Sequence, residues 1–113
     1  MVYLPPIMGY AKERGKLEKL LTKTAGADSY NEKNLAILLD SHEKYSHTVR
    51  ILKNKEPETF GELYSNELQA VKEGKKSVKE SESDEARQTS FTAYKEAIVQ
   101  ALEKTIRATL ESL

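Results

Sequence analysis

Apolar and polar residues follow each other most regularly between Leu35 and Leu52. Leu35, Leu38, His42, Tyr45, Val49 and Leu52 recur at spacings of 3, 4, 3, 4 and 3. At roughly 100° per residue these side chains fall within an arc of about 100°, one face of an α-helix. Ile37, Leu39 and Ile51 widen that face, so the helix has to touch more than one neighbour, as it would in a bundle.

The same period recurs three more times. A helix over about 10–24 carries Tyr10, Leu17, Leu20, Leu21 and Thr24 on one side. Its polar stretch AKERGK makes it the weakest of the set, and Gly26 is suited to end it in the left-handed conformation. The central helix spans about 30–54, opened by the capping-box sequence Ser29-Tyr30-Asn31-Glu32 and stopped at Pro57. A third, over about 58–79, starts at Pro57 or at a second box, Thr59-Phe60-Gly61-Glu62. Phe60, Leu63, Tyr64, Leu68, Val71 and Val78 make its stripe. The stripe thins after Val71, and Gly74 weakens the helix by about 1 kcal/mol relative to Ala, so its last turns are expected to fray or project beyond the core. The fourth spans about 84–111, with Phe91, Tyr94, Ile98, Ala101, Leu102, Thr105, Ile106 and Thr109 on its apolar side and Leu113 continuing it. The connection KESESD has no Gly or Pro. A helix running through it would nevertheless place Lys75, Glu82, Glu85 and Thr89 on the seam, so the chain should break there.

No segment alternates with the period of a strand. The expected fold class is all-α: a small, mostly antiparallel four-helix bundle in one domain, 1–113, with an extended apolar N-terminal arm, 1–8. Pro5-Pro6 excludes helix in the arm. Val2, Tyr3, Leu4, Ile7 and Met8 are unfavourable in water, at about 25 cal/mol per Å². They should lie across the bundle or on a partner.

Composition agrees with helix: 38% hydrophobic, 32% charged, and only five Gly and three Pro in 113 residues. No apolar run is long enough to span a bilayer, and MVYLPPIMGY lacks the basic start and long apolar core of a signal peptide. Cysteine is absent. That excludes a disulfide framework, a thiolate nucleophile and a zinc–thiolate site, and it fits a cytoplasmic protein. The formal net charge is zero, with ten Lys/Arg against seven Asp/Glu in residues 1–56 and eight against eleven in 57–113. This lacks the clustered basic excess of a nucleic-acid footprint, so nucleic acid is disfavoured as a partner.

Four groups of residues could carry chemistry. His42, within the seam, could be a ligand, a proton carrier or a pH switch, though a lone His on an apolar face is usually a hydrogen-bonded core-edge residue. Asp40, Glu43 and His47 lie together opposite the seam. They read as a solvated face with one helical ion pair, because bundle metal sites project inward from several helices. Lys72, Lys75, Lys76 and Lys79 form a basic ridge that could hold phosphate or an acidic partner. They also suit a helix C-terminus, and Glu80, Glu82, Asp84 and Glu85 should sit beside them and cancel their field. The six tyrosines, Tyr3, Tyr10, Tyr30, Tyr45, Tyr64 and Tyr94, fall mostly on apolar stripes and should pack in or at the edge of the core.

There is no phosphate-binding Gly-rich loop, nucleophile elbow or zinc-protease motif. Asp40-Ser41-His42 cannot converge, since adjacent helical residues point to different faces. No catalytic residue, cofactor or metal is therefore assigned. Size and helix count are similar to those of several unrelated groups of small bundles, phage accessory proteins and bacteriocin immunity proteins among them. That likeness is one of architecture and implies no function. The expected function is a non-enzymatic protein-binding module: an adaptor, inhibitor or assembly subunit. It would act through its apolar helix faces and through Tyr3, Leu4, Ile7 and Met8 of the arm, on another protein or on itself as a homodimer. The alternative is nucleic-acid or phosphate-ligand binding through the Lys72–Lys79 ridge.

Overall fold

The computed structural model describes residues 10–111 and folds them into four helices. They are α1 (Ala11–Ala25), α2 (Glu32–Lys55), α3 and α4 (Asp84–Glu111). Helix α3 has three consecutive parts: Pro57–Glu62, a π-helical turn Leu63–Glu67, and Leu68–Glu80. The arm residues Tyr3, Leu4, Ile7 and Met8 lie outside the described residues.

Neighbouring helices run antiparallel, as their cross-contacts show. Lys55 pairs with Glu13 at one end of α1–α2, while Thr24 bonds Ser41 at the other. Lys53 lies over the Tyr64 ring between α2 and α3. Lys104 pairs with Glu67, and Ser81 bonds Ser90, between α3 and α4. Lys95 reaches the Ala25 carbonyl between α4 and α1. The α2–α4 diagonal is parallel, with Tyr30 against Phe91 near one end and Tyr45 bonded to Thr105 further along.

Several helix ends differ from the sequence expectation. Helix α2 starts at Glu32 and not at the Ser29 box. Asn31 is the cap, its Oδ1 accepting the Asn34 N–H at 2.7 Å. An Asn cap is as favourable as Ser. Tyr30 is held out of the helix because its N–H donates to Gln88 Oε1 at 2.8 Å and its ring packs edge-on against Phe91. Of the two starts the sequence offers for α3, the chain takes Pro57 and not Thr59. Proline has no N–H to leave unpaired at a first helical position, and the Thr59 hydroxyl turns back to the Glu56 carboxylate. Gly26 is not left-handed: its φ is −77°, and its N–H bonds the Thr22 carbonyl. The chain leaves α1 through a tight turn in which the Ala27 N–H bonds the Thr24 carbonyl, which buries Ala27. Between α3 and α4 the helix breaks at Ser81, which is extended, and Ser83 caps α4 by accepting the Ala86 N–H.

The core is formed by the inward stripes. Leu17, Leu38, Tyr45, Val49, Leu52, Phe60, Val71, Phe91, Tyr94, Ile98 and Leu102 are all fully buried, while Leu35, at the start of the seam, is half-buried. Burial of each large side chain contributes about 1.5–3 kcal/mol. The wide faces of α2 and α4 are largely covered, and Leu110 is the one exposed large hydrophobic among the described residues.

The end of α3 does not fray. Leu68–Glu80 stays helical, Val78 is buried, and this segment packs along α4. Gly74 is the reason: a Cβ placed there would lie 3.0 Å from both Cα and Cδ1 of Tyr94. Its missing side chain admits the α4 backbone, and the packing gained outweighs the lost helix propensity.

The π-turn decides where α3 goes. The Leu68 N–H reaches back five residues to the Leu63 carbonyl, an extra residue in one turn, which rotates the following segment by roughly 100° relative to an uninterrupted α-helix. The first half of α3 packs on α2. The second half packs on α4 and scarcely touches α2, so the two helices splay apart beside the first half of α2.

Candidate functional site

The splay and the outer face of α2 form a concave surface enclosing about 1010 Å³. Helix α1 brings Lys16, Lys19 and Leu20 to it, α2 brings Leu39, His42, Glu43, Lys44, His47 and Arg50, and α3 brings Lys75 and Lys79. Six of these residues are cationic and one, Glu43, is acidic. A chain of zero net charge thus carries a formal surplus of five positive charges around one groove, balanced elsewhere on its surface.

Of the six cations, only Lys44 has an acidic partner among the described residues. It lies 3.2 Å from Asp40, which Lys23 also approaches at 3.6 Å. The Lys44 ammonium holds the Asp40 carboxyl below its ordinary range, against a smaller opposing effect of burial. Lys16, Lys19, Arg50, Lys75 and Lys79 make no ion pair among the described residues. Like charges lining a concavity reinforce one another's field, which raises the local concentration of anions.

His42 sits at the buried edge of the groove, 8% exposed. Its Nδ1 is 2.7 Å from the Tyr94 hydroxyl, whose ring packs edge-on against the imidazole at a centroid distance of 5.8 Å. Burial, with Lys75 and Lys72 adding to it, pushes the His42 pKa down to about 4, so the ring is neutral near pH 7. Burial also raises the Tyr94 phenol well above its usual pKa. The tautomer follows from these two facts. Tyr94 is fully buried and His42 is its hydrogen-bond partner, so its O–H has Nδ1 as acceptor. Nε2 then carries the ring proton and is the nitrogen left for the groove.

The sequence-derived candidates separate accordingly. Of the basic ridge, Lys75 and Lys79 line the groove, Lys72 acts on His42 electrostatically, and Lys76 is exposed outside it. The expected neutralisation by Glu80, Glu82, Asp84 and Glu85 does not take the form of pairing: Asp84 pairs with Arg87, and none of the four pairs with a ridge lysine. The C-terminus of α3 lies against α4, while Lys75 and Lys79 face the groove. Asp40, Glu43 and His47 do not act as a unit, since Asp40 is engaged by lysines while Glu43 and His47 line the groove. Among the described residues no group of three His, Cys, Asp or Glu could hold a metal ion.

Tyr10, Tyr45 and Tyr94 are buried, and Tyr30 and Tyr64 are half-buried under Arg87 and Lys53. The Tyr45 hydroxyl lies 3.0 Å from Thr105 Oγ1, which itself donates to the Ala101 carbonyl, and burial pushes the Tyr45 pKa up to about 12.

The sequence reading missed Lys16, Lys19, Lys44 and Arg50 as members of the site. They come from two other helices, and no local cluster marks them.

No protein-family model matches this chain, and no curated protein and no solved structure matches it. Its function has to be argued from the groove.

Proposed function

We propose that this chain is a non-enzymatic binding module that takes up a phosphate-bearing polyanion, nucleic acid foremost, in the groove around α2. The observation that supports this reading is the convergence of five cations, unpaired among the described residues, from three helices on one concavity. An enclosed volume of about 1010 Å³ lies at the upper end of the roughly 300–1,000 Å³ of small-molecule pockets. That is room for a nucleotide or a short run of a polymer. Among the described residues no helix is long and apolar enough to cross a membrane, and a cytoplasmic setting belongs to the same reading.

The test is fluorescence anisotropy with a labelled single-stranded oligonucleotide and, separately, a polyglutamate peptide, at about 50 and 200 mM salt. Oligonucleotide affinity should fall steeply with salt as counterions are released. A preference for polyglutamate would move the reading to an acidic protein partner, and no binding of either would remove it.

Protein binding through the apolar arm is the second reading, alone or as a homodimer, carried by five apolar side chains set around two prolines in residues 2–8. Light scattering of the full chain and of a chain starting at Gly9 separates it. A dimer that becomes a folded monomer on truncation would place the arm in the interface.

A further inference from the structure

The groove has one feature that field strength alone does not require: a buried neutral imidazole at its edge, held from behind by a tyrosine on another helix. A surface that only collects anions needs lysines and arginines on flexible stems. His42 is 8% exposed and tied to α4 by a hydrogen bond. The Tyr94 hydroxyl at 2.7 Å fixes its Nδ1, and Gly74 lets α3 close on Tyr94 from the other side. The result is a single N–H, at Nε2, available to the groove at a defined position, with Lys75 and Lys79 lining the same groove and Lys72 within electrostatic reach.

We infer that this corner is a phosphate subsite in which His42 Nε2–H is the fixed donor, Lys75 and Lys79 supply charge, and Tyr94 is the positioning residue. We further infer that phosphate uptake is linked to uptake of one proton by the His42 ring. This rests on the reading of the groove as a polyanion site and names its contact point and its regulation.

The linkage follows from the groups that face the ring. Lys72 and Lys75 from α3 disfavour a charged imidazole, Tyr94 from α4 is uncharged, and Lys16 and Lys19 from α1 line the same groove. On His42's own helix, Lys44, Arg50 and His47 add positive or neutral groups, and Glu43 is the one acid lining the groove. A bound phosphate reverses the sign of the field at Nε2. The protonated ring becomes less unfavourable in the complex, and by thermodynamic reciprocity phosphate binds more tightly as pH falls. On protonation the phenol oxygen accepts from Nδ1–H and the Tyr94 O–H loses its acceptor, a further cost of the charged ring that the bound phosphate has to offset. The shared ligand chemistry is the phosphate oxygen, which a free phosphate or a phosphodiester backbone could supply. The two differ in their own titration, since a free phosphate changes charge in the neutral range and a diester does not.

The experiment is nitrogen-detected NMR of the His42 ring in the full chain, titrated over pH with no addition, with inorganic phosphate, and with a short oligothymidylate. In the free protein His42 should be the Nε2–H tautomer, with a midpoint well below that of an exposed histidine. Addition should shift Nε2 and raise the midpoint by one unit or more. If both probes do so the subsite reads phosphate as such, and if only the oligothymidylate does it reads the backbone of a polymer. His42→Gln keeps an acceptor for Tyr94 and should fold. It should abolish the tightening of oligothymidylate binding between pH 6.5 and 4.5, which a one-unit rise of the midpoint makes about threefold in the wild type. Tyr94→Phe should mix the two tautomers in the free protein. If oligothymidylate binds while the His42 resonances and midpoint stay unmoved, the subsite is refuted and the polyanion groove stands. If neither probe binds at any pH, both readings fall.

Discussion

Basic residues on α4 and those around α2 are used in opposite ways. On α4, Lys104 pairs with Glu67 at 3.1 Å, Arg87 with Asp84 at 3.1 Å, and Lys95 donates to the Ala25 carbonyl at 3.2 Å. Each of these three serves a neighbouring helix, a loop or its own helix end, while the fourth, Arg107, is exposed and makes no ion pair among the described residues. Around α2, Lys16, Lys19, Arg50, Lys75 and Lys79 line one groove with no acidic partner among the described residues. Exposed ion pairs contribute about 0–1 kcal/mol each, so pairing on α4 is a modest structural device. Leaving like charges together is mildly destabilising. The difference separates residues that hold the bundle from residues the bundle displays.

The largest effects should come from the side that holds. Leu102 is fully buried. Leu102→Ala should cost about 2–5 kcal/mol in urea unfolding, and a loss below about 0.5 kcal/mol would mean the core is misplaced.

His42 lies on the border between the two sides, and its contribution depends on pH. The folded pKa of about 4 lies below the ordinary 6.5, so between these values the unfolded chain binds the proton first. Stability from this group is fully present above pH 6.5 and is lost as pH falls through 4. The total is up to about 3 kcal/mol at 1.36 kcal/mol per pKa unit. Subtracting the pH–stability curve of His42→Gln from that of the wild type should isolate this limb. Parallel curves would show that the ring is not buried neutral. The change falls mostly below pH 6, so it is not a switch of the neutral range.

A smaller effect is expected at Gly74. In an exposed helix Gly→Ala would gain about 1 kcal/mol. Here the new methyl would meet the Tyr94 backbone at 3.0 Å, so Gly74→Ala should destabilise by about 1–3 kcal/mol. A more stable variant would show that α3 and α4 are not in close contact at that point.

The smallest stability change belongs to the displayed side. Reversing Lys75 and Lys79 to Glu removes repulsion and no structural pair. The variant should keep its unfolding midpoint within the equivalent of about 0.5 kcal/mol, and a larger loss would make these lysines structural.

The bundle was legible because its signal is local and periodic. Leu38, His42, Tyr45, Val49 and Leu52 announce one helical face within fifteen residues of sequence, and that face is buried. The helix ends were less legible, because Ser29 and Asn31 are comparable caps and the choice depends on Gln88 and Phe91, far along the chain. The groove was legible only in its α3 portion. Lys75 and Lys79 stand in a visible ridge, but Lys16 and Lys19 lie 25 or more residues before Lys44 and Arg50, and both pairs lie at least as far again from the ridge. Half-chain charge sums average them with acids that end up elsewhere. The π-turn was hidden because Phe60, Leu63, Tyr64, Leu68 and Val71 fit an uninterrupted helix. Gly74 carried a misleading signal, since helix propensity sees the missing side chain as a loss and only the packed pair shows it as a requirement.

The central claim is that position in the groove, and not charge in general, makes the anion site. Two double variants with the same net charge test it: Lys75→Glu with Lys79→Glu, and Lys95→Glu with Lys104→Glu. Anisotropy of a labelled single-stranded oligonucleotide at about 50 mM salt should show a tenfold or greater loss of affinity for the groove variant. That variant's salt dependence should also be shallower by about two phosphate contacts, while the α4 variant stays within about threefold of wild type. Equal losses in both variants, or no loss in either, would contradict the account.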